Sequence, residues 1–157
     1  MGAYPEKKMR YKIRVGKEKD TKALVKLGKY DWSNSDIFEF PFEKTEAKEI
    51  ELIHFNKYIS SEDAIKEMEV KGLRPATVTE LLLFGAQYPE VQHEFPIVAL
   101  GTVQQVFGDR GVACLGGGSA GRGLNLAWFE GGWYGDWRFA AVRKSESLDA
   151  GNLDLSR

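Results

Sequence analysis

Cysteine and histidine are nearly missing from this chain: Cys114 stands alone, and His54 and His93 are the only imidazoles in 157 residues. A single cysteine excludes an internal disulfide and any metal site built on a cysteine pair. Its setting, Val112-Ala113-Cys114-Leu115, suits a small buried apolar residue. A dominant charge is missing too, with 22 Lys and Arg against 23 Asp and Glu. No long-range field therefore draws the protein to nucleic acid or to a membrane surface. The chain has no apolar run approaching ~20 residues and no signal-peptide core. The expectation is a soluble protein, cytoplasmic by default. Internal repeats and linker-like stretches are also absent, which leaves one domain over residues 1–157.

Catalytic signatures are incomplete. Gly116-Gly117-Gly118-Ser119-Ala120-Gly121 invites a phosphate loop, but the required Lys-Ser/Thr is missing. A strand is expected to follow, so no helix N-terminus would face an anion. The same run contains Gly-x-Ser-x-Gly without the strand-to-helix elbow that exposes a nucleophile. Residues 30–36 carry acids and amides without the spacing of a calcium loop, and read as a turn held by Asx and Ser hydrogen bonds. His54 lacks a nearby nucleophile or orienting carboxylate, and ordinary strand hydrogen bonding is expected of it; His93, in a polar segment, carries no stronger claim. Glu80, Glu90, Glu130 and Asp136 form no carboxylate pair at a readable spacing. No cofactor and no metal are expected. The alternatives left open are an enzyme whose site is assembled across the fold from His54, Glu80 or the Trp-rich loops, and a structural or phage-particle component.

What is present is clear punctuation. Residues 9–15 alternate basic and apolar side chains, as in a strand with one solvated face. Asp20 or Thr21 can cap a short helix over 22–27, with Ala23, Leu24 and Leu27 inward and Gly28 as its stop. Residues 37–42 are a short extended piece broken by Pro41, and 50–58 form a stronger strand covered on both faces. Ser60 with Asp63, and Thr77 with Glu80, have capping-box spacing and open two helices that reach about Lys71 and Tyr88. Ala64, Ile65 and Met68 line the first; Leu81, Leu82, Phe84 and Gly85 pack the second, with Gly85 allowing close approach to the first. Pro75 makes residues 73–76 an extended link. Residues 97–106 are a strand, 108–111 a hairpin turn and 112–115 its partner. Residues 1–8 and 145–157 are expected to pack weakly or fray. This order argues α+β: two helices packed on a small antiparallel sheet, with the N- and C-terminal strands paired.

Residues 116–144 hold three of the four tryptophans. Leu124, Leu126 and Trp128 alternate with Asn125 and Ala127, the period of a strand with one buried face, and residues 138–143 read as another strand. Between them lie two polar, glycine-containing turns anchored by Trp133 and Trp137. Trp128 and Trp133 are expected in the core; Tyr134 and Trp137 stay open between core and surface. Aromatics set among Gly, Ser, Asn and Asp are what binding loops use. Apolar pegs that hold otherwise unconstrained positions suit a binding surface better than a catalytic centre.

Several stretches together resemble a known family. They are Glu51-Leu52-Ile53-His54-Phe55 with Tyr58-Ile59-Ser60-Ser61-Glu62, then Gly72-Leu73-Arg74-Pro75-Ala76-Thr77, then Phe95-Pro96-Ile97-Val98-Ala99-Leu100-Gly101. Trp133 followed by Arg138-Phe139-Ala140-Ala141-Val142-Arg143-Lys144 completes the set. Over roughly residues 50–144 the chain resembles the variable protein of a diversity-generating retroelement. The resemblance implies a C-type lectin-like fold of the formylglycine-generating-enzyme type, used as a non-enzymatic scaffold for ligand binding. It also implies a gene whose variable repeat is rewritten by an error-prone reverse transcriptase that mutates at adenines.

Matched onto this chain, the resemblance makes Leu124, Leu126, Phe129, Trp133, Arg138, Phe139 and Val142 scaffold residues. The hypervariable, ligand-binding positions it implies are Ser119, Asn125, Ala127, Glu130, Gly131, Gly132, Tyr134, Gly135, Asp136 and Trp137, offered to a protein or other macromolecular ligand. Asn, Gly, Ser, Ala, Asp and Tyr can all be reached from an asparagine codon by changing adenines; Glu130 and Trp137 need another template codon. The Glu-Pro-Asn and Trp-Asn-Asp triplets of calcium-dependent sugar-binding lectins are missing, Trp133-Tyr134-Gly135-Asp136 standing in place of the second. One cysteine also falls short of the pair used by formylglycine-generating enzymes. Neither chemistry is expected.

Overall fold

The computed structural model describes residues 9–144, so the fraying expected of 1–8 and 145–157 lies outside the described residues. Seven strands run across one sheet: β1 (Arg10–Ile13), β3 (Lys48–Ile53), β8 (Arg138–Arg143), β5 (Ile97–Val106), β6 (Asp109–Gly118), β7 (Gly121–Trp128) and β2 (Trp32–Ser33). An eighth, β4 (Leu73–Pro75), pairs with β8 off this path. The helices are α1 (Thr21–Gly28), α2 (Ser61–Val70) and α3 (Val78–Gln87). The α+β class is as expected, and three details are corrected. Three helices pack, because α1 lies against α3. The sheet is mixed, since β5 runs parallel to β8 and β2 parallel to β7. The first and last described strands are not paired: β3 lies between them, antiparallel to both.

Strand alternation sends successive side chains to opposite faces, and both faces of this sheet are covered. On one, Ala99, Ala113, Leu115, Leu124 and Ala140 share a core with Leu24 of α1 and Leu81 and Phe84 of α3. On the other, Val98, Leu100, Val112, Cys114 and Phe139 share a core with Ala64 and Met68 of α2 and with Phe129 and Trp133. Double coverage explains why β8 is apolar through its centre rather than alternating.

Helix starts follow the sequence. Asp20 Oδ1 accepts from the Ala23 amide at 2.7 Å and Ser60 Oγ from the Asp63 amide at 3.1 Å. At α3 the capping box closes both ways, with the Glu80 amide donating to Thr77 Oγ1 at 3.2 Å and the Thr77 amide to Glu80 Oε1 at 2.9 Å. Such caps contribute ~1 kcal/mol each. Local details differ. α1 buries Thr21, Leu24 and Val25 while Leu27 is exposed, and the left-handed residue at its end is Lys29, φ 52°, not Gly28. The first half of the piece expected to be extended at 37–42 belongs to a 3₁₀ turn over Ser35–Glu39, capped by the Asn34 side chain. Gly85 makes room for Tyr30 and Leu115 rather than for α2. At Gly101 a close approach is needed: its amide donates to the Ala76 carbonyl at 2.8 Å, where a Cβ would collide, while the Ala76 amide donates to Ala140 O at 2.9 Å. There β4 wedges into the sheet beside β8, next to a register irregularity in β5.

Candidate functional site

The glycine-rich run is a hairpin. Gly118 pairs with Gly121 across Ser119-Ala120, and β7 continues as a strand, so no helix N-terminus meets the turn. On β7, Asn125 and Ala127 share a face with their register partners Cys114 and Val112, while Leu124 and Leu126 join the opposite core. Asn125 is exposed and its Oδ1 accepts from Asn34 Nδ2 at 3.3 Å; Ala127 is half-buried. Trp128, expected in the core, is 39% exposed. Its register partner is Gly111, which offers no side chain to cover it.

Beyond β7 the chain makes a 3₁₀ turn at Phe129–Gly131 and crosses to the segment before α2. Ile59 and Trp133 exchange both backbone hydrogen bonds, at 3.0 and 2.9 Å. Trp133 is buried, as expected, and its Nε1 donates to Ser61 Oγ at 2.8 Å. Ser61 Oγ in turn donates to the Phe129 carbonyl at 2.6 Å. This relay, with Trp137 edge-on to Trp133 at 4.7 Å, fixes the path of residues 129–137. Trp137 is half-buried against the core. Tyr134 is 72% exposed and meets the Tyr58 ring edge-on at 5.4 Å. Just past β3, His54 donates from Nε2 to the Gly135 carbonyl at 2.8 Å, the ordinary hydrogen bond expected of it.

The remaining candidate positions differ in freedom. Glu130 is exposed but paired with Arg110, whose guanidinium also lies 4.4 Å from the centre of the Phe129 ring. Gly131 has open space where a side chain would go. Gly132, at φ 74°, faces the Tyr58 hydroxyl, so a side chain there would meet both strain and a clash. Gly135 packs against the Lys57 backbone, and Asp136 is exposed, its carbonyl accepting from Arg138 Nη1 at 2.8 Å. Asn125 and Ala127 thus lie on β7, and Glu130 to Trp137 lie along the crossing that follows. Ser119 does not join them. It tips the β6–β7 hairpin at the other end of β7, roughly 23 Å from Trp128 at about 3.3 Å per residue.

Tyr58, Asn34 and the 54%-exposed Trp32, which pairs with Gly123, border these positions without having been singled out from sequence. Their partners are too distant along the chain to leave a local signal. Elsewhere, Glu80 is buried and accepts from Arg74 Nη2 at 2.7 Å and Lys48 Nζ at 2.9 Å. Burial would raise its pKa, but the hydrogen bonds from Arg74, Thr77 and Lys48 outweigh it and hold the carboxyl at about 2. Glu80 and His54 therefore serve separate local networks. Burial pushes the Cys114 thiol up to about 12, against the opposing hydrogen bond from the Asn125 backbone. Among the described residues no group of three His, Cys, Asp or Glu is placed to hold a metal ion. Among the same residues no helix is long and apolar enough to cross a membrane. No family model matches the chain, and neither a curated protein nor a solved structure matches it.

Proposed function

We propose that the protein is a non-enzymatic ligand-binding protein of C-type lectin-like fold, whose surface along β7 and residues 130–137 is diversified by a retroelement to recognise a protein or other macromolecule. The reading rests on the resemblance over residues 50–144 and on one geometric observation. Within a single short segment, Phe129, Trp133 and Phe139 are buried while Asn125, Glu130, Gly131, Tyr134 and Asp136 are exposed. Buried pegs fix the backbone, and the positions between them can change without disturbing the core. Tyr134 beside Tyr58 supplies the kind of large aromatic contact that dominates binding energy at interfaces. Ser119 and Gly132 are the weakest members of the set: one lies at the far hairpin tip, and the other needs its positive φ.

Sequencing the DNA around the gene is the direct test. The expected result is a near-identical repeat of the region encoding residues 116–144, differing at adenines, beside a reverse-transcriptase gene. Without such a repeat in the source genome the diversification reading fails.

A further inference from the structure

On the opposite side of the sheet, the helices α1 and α3 border a cavity of about 310 Å³, within the range typical of small-molecule sites. Leu24 of α1 and Leu83 of α3 form its inner wall, and Val15 and Phe42 reach it from the connecting segments. Val15, 45% exposed, adds apolar surface to the mouth of the cavity. The walls are pinned: Thr79 Oγ1 accepts from the Glu43 amide at 2.9 Å, and Thr21 Oγ1 donates to the Phe40 carbonyl at 2.7 Å.

The charge around this cavity is one-sided. Lys17, Lys19 and Lys44 line it against a single carboxylate, Glu18. Among the described residues none of these three ammonium groups takes part in an ion pair or a hydrogen bond. No arginine lines the cavity, so it lacks the fork that reads phosphate bidentately, and mobile ammonium groups instead offer point charges to a simple anionic head. An apolar floor with a cationic rim matches a molecule with an aliphatic body and one negative end.

We propose that this cavity binds an amphipathic carboxylate of the medium-chain fatty acid class, chain against Leu24, Leu83, Val15 and Phe42, head among Lys17, Lys19 and Lys44. The site is independent of the surface on β7 and residues 130–137.

The test is a titration of isotope-labelled full-length protein with sodium decanoate, followed by NMR of the Val15, Leu24 and Leu83 methyl groups, with 1-decanol as the uncharged comparison. Saturable shifts confined to those methyls are expected, with decanol binding up to about fivefold more weakly, the size of one lost charge interaction at an exposed site. A Lys17→Glu, Lys44→Glu double variant should lose decanoate affinity by a similar factor and keep both its melting temperature and its affinity for decanol. Both lysines are exposed, so folding is not at stake. No saturable shift at millimolar decanoate, equal affinity for decanol, or shifts spread over the other sheet face would overturn the proposal.

Discussion

The guanidinium of Arg122 lies 4.5 Å from the centre of the Tyr30 ring. The same group donates to the Gly28 carbonyl at 2.6 Å and the Gly85 carbonyl at 2.8 Å, in the last turns of α1 and α3. A cation there complements the negative ends of both helices. Its Nε also donates to Gln92 Oε1 at 3.2 Å, and Gln92 Nε2 donates to the carbonyls of Gly116 and Gly123. One side chain thus fastens two helices to the hairpin that leads into the candidate surface.

Arg122→Lys is therefore expected to destabilise the protein by about 2–3 kcal/mol, because a single ammonium cannot reach these acceptors together and leaves buried carbonyls unpaired. Urea unfolding monitored by tryptophan fluorescence measures this. A loss under ~0.5 kcal/mol, the size of an ordinary surface change, would show that the knot is dispensable.

Glu80 gives the stability a pH dependence of known sign. Its folded pKa, about 2, lies below the ordinary value of 4.5, so its contribution is complete above about pH 4.5 and is lost as pH falls toward about 2. The difference corresponds to about 3 kcal/mol. Glu80→Gln should lose about that much at pH 7 and flatten the acid limb of a stability-versus-pH curve. A variant that parallels the wild type through that window would refute the assignment.

The division into pegs and offered positions is open to calorimetry. Asn125→Ala, Tyr134→Ala and Asp136→Ala combined should lower stability by no more than ~1 kcal/mol, whereas Trp133→Ala alone should cost ~3–5 kcal/mol. Ser61→Ala should cost ~1–3 kcal/mol, because it strands both Trp133 Nε1 and the Phe129 carbonyl. If the triple variant melts as low as Trp133→Ala, Asn125, Tyr134 and Asp136 belong to the core.

Cys114 is buried and its thiol is held at about 12 by that burial, so almost no thiolate exists at pH 8. An aromatic disulfide reagent should label native protein only as fast as it opens, and denatured protein at once. Rapid labelling of the native state would contradict the placement of Cys114 under the segment that follows β7.

The elements legible in the sequence are those whose cause is local. Asp20, Ser60 and Thr77 act on amides three residues away, so their helices could be placed from spacing alone. The alternation of Asn125 and Ala127 with Leu124 and Leu126 gave the facing of β7 in the same way. Arg122 was not legible: its partners Gly28, Gly85 and Gln92 are 94, 37 and 30 residues away. Trp128 and Trp133 look alike in sequence, yet one lies opposite Gly111 and the other opposite Ile59, and that difference decides their exposure. Gly131 and Gly132 are adjacent and identical, but only the second has positive φ and a tyrosine hydroxyl in its way.

Strand β8 follows every other described element along the chain, yet it has neighbours on both edges: β3 on one, β5 and β4 on the other. Until residues 138–143 arrive, β1–β3 and β5–β6–β7 are two unjoined ribbons with open edges, the exposed templates that promote misassociation. Pairing β3 with β8 closes a loop of nearly ninety residues, a slow step for any chain. During synthesis the sheet therefore has no early stopping point, and the protein acquires its shape late and all together. A chain that stops before residue 138 would lack the closing strand and leave the facing edges of β3 and β5 unpaired.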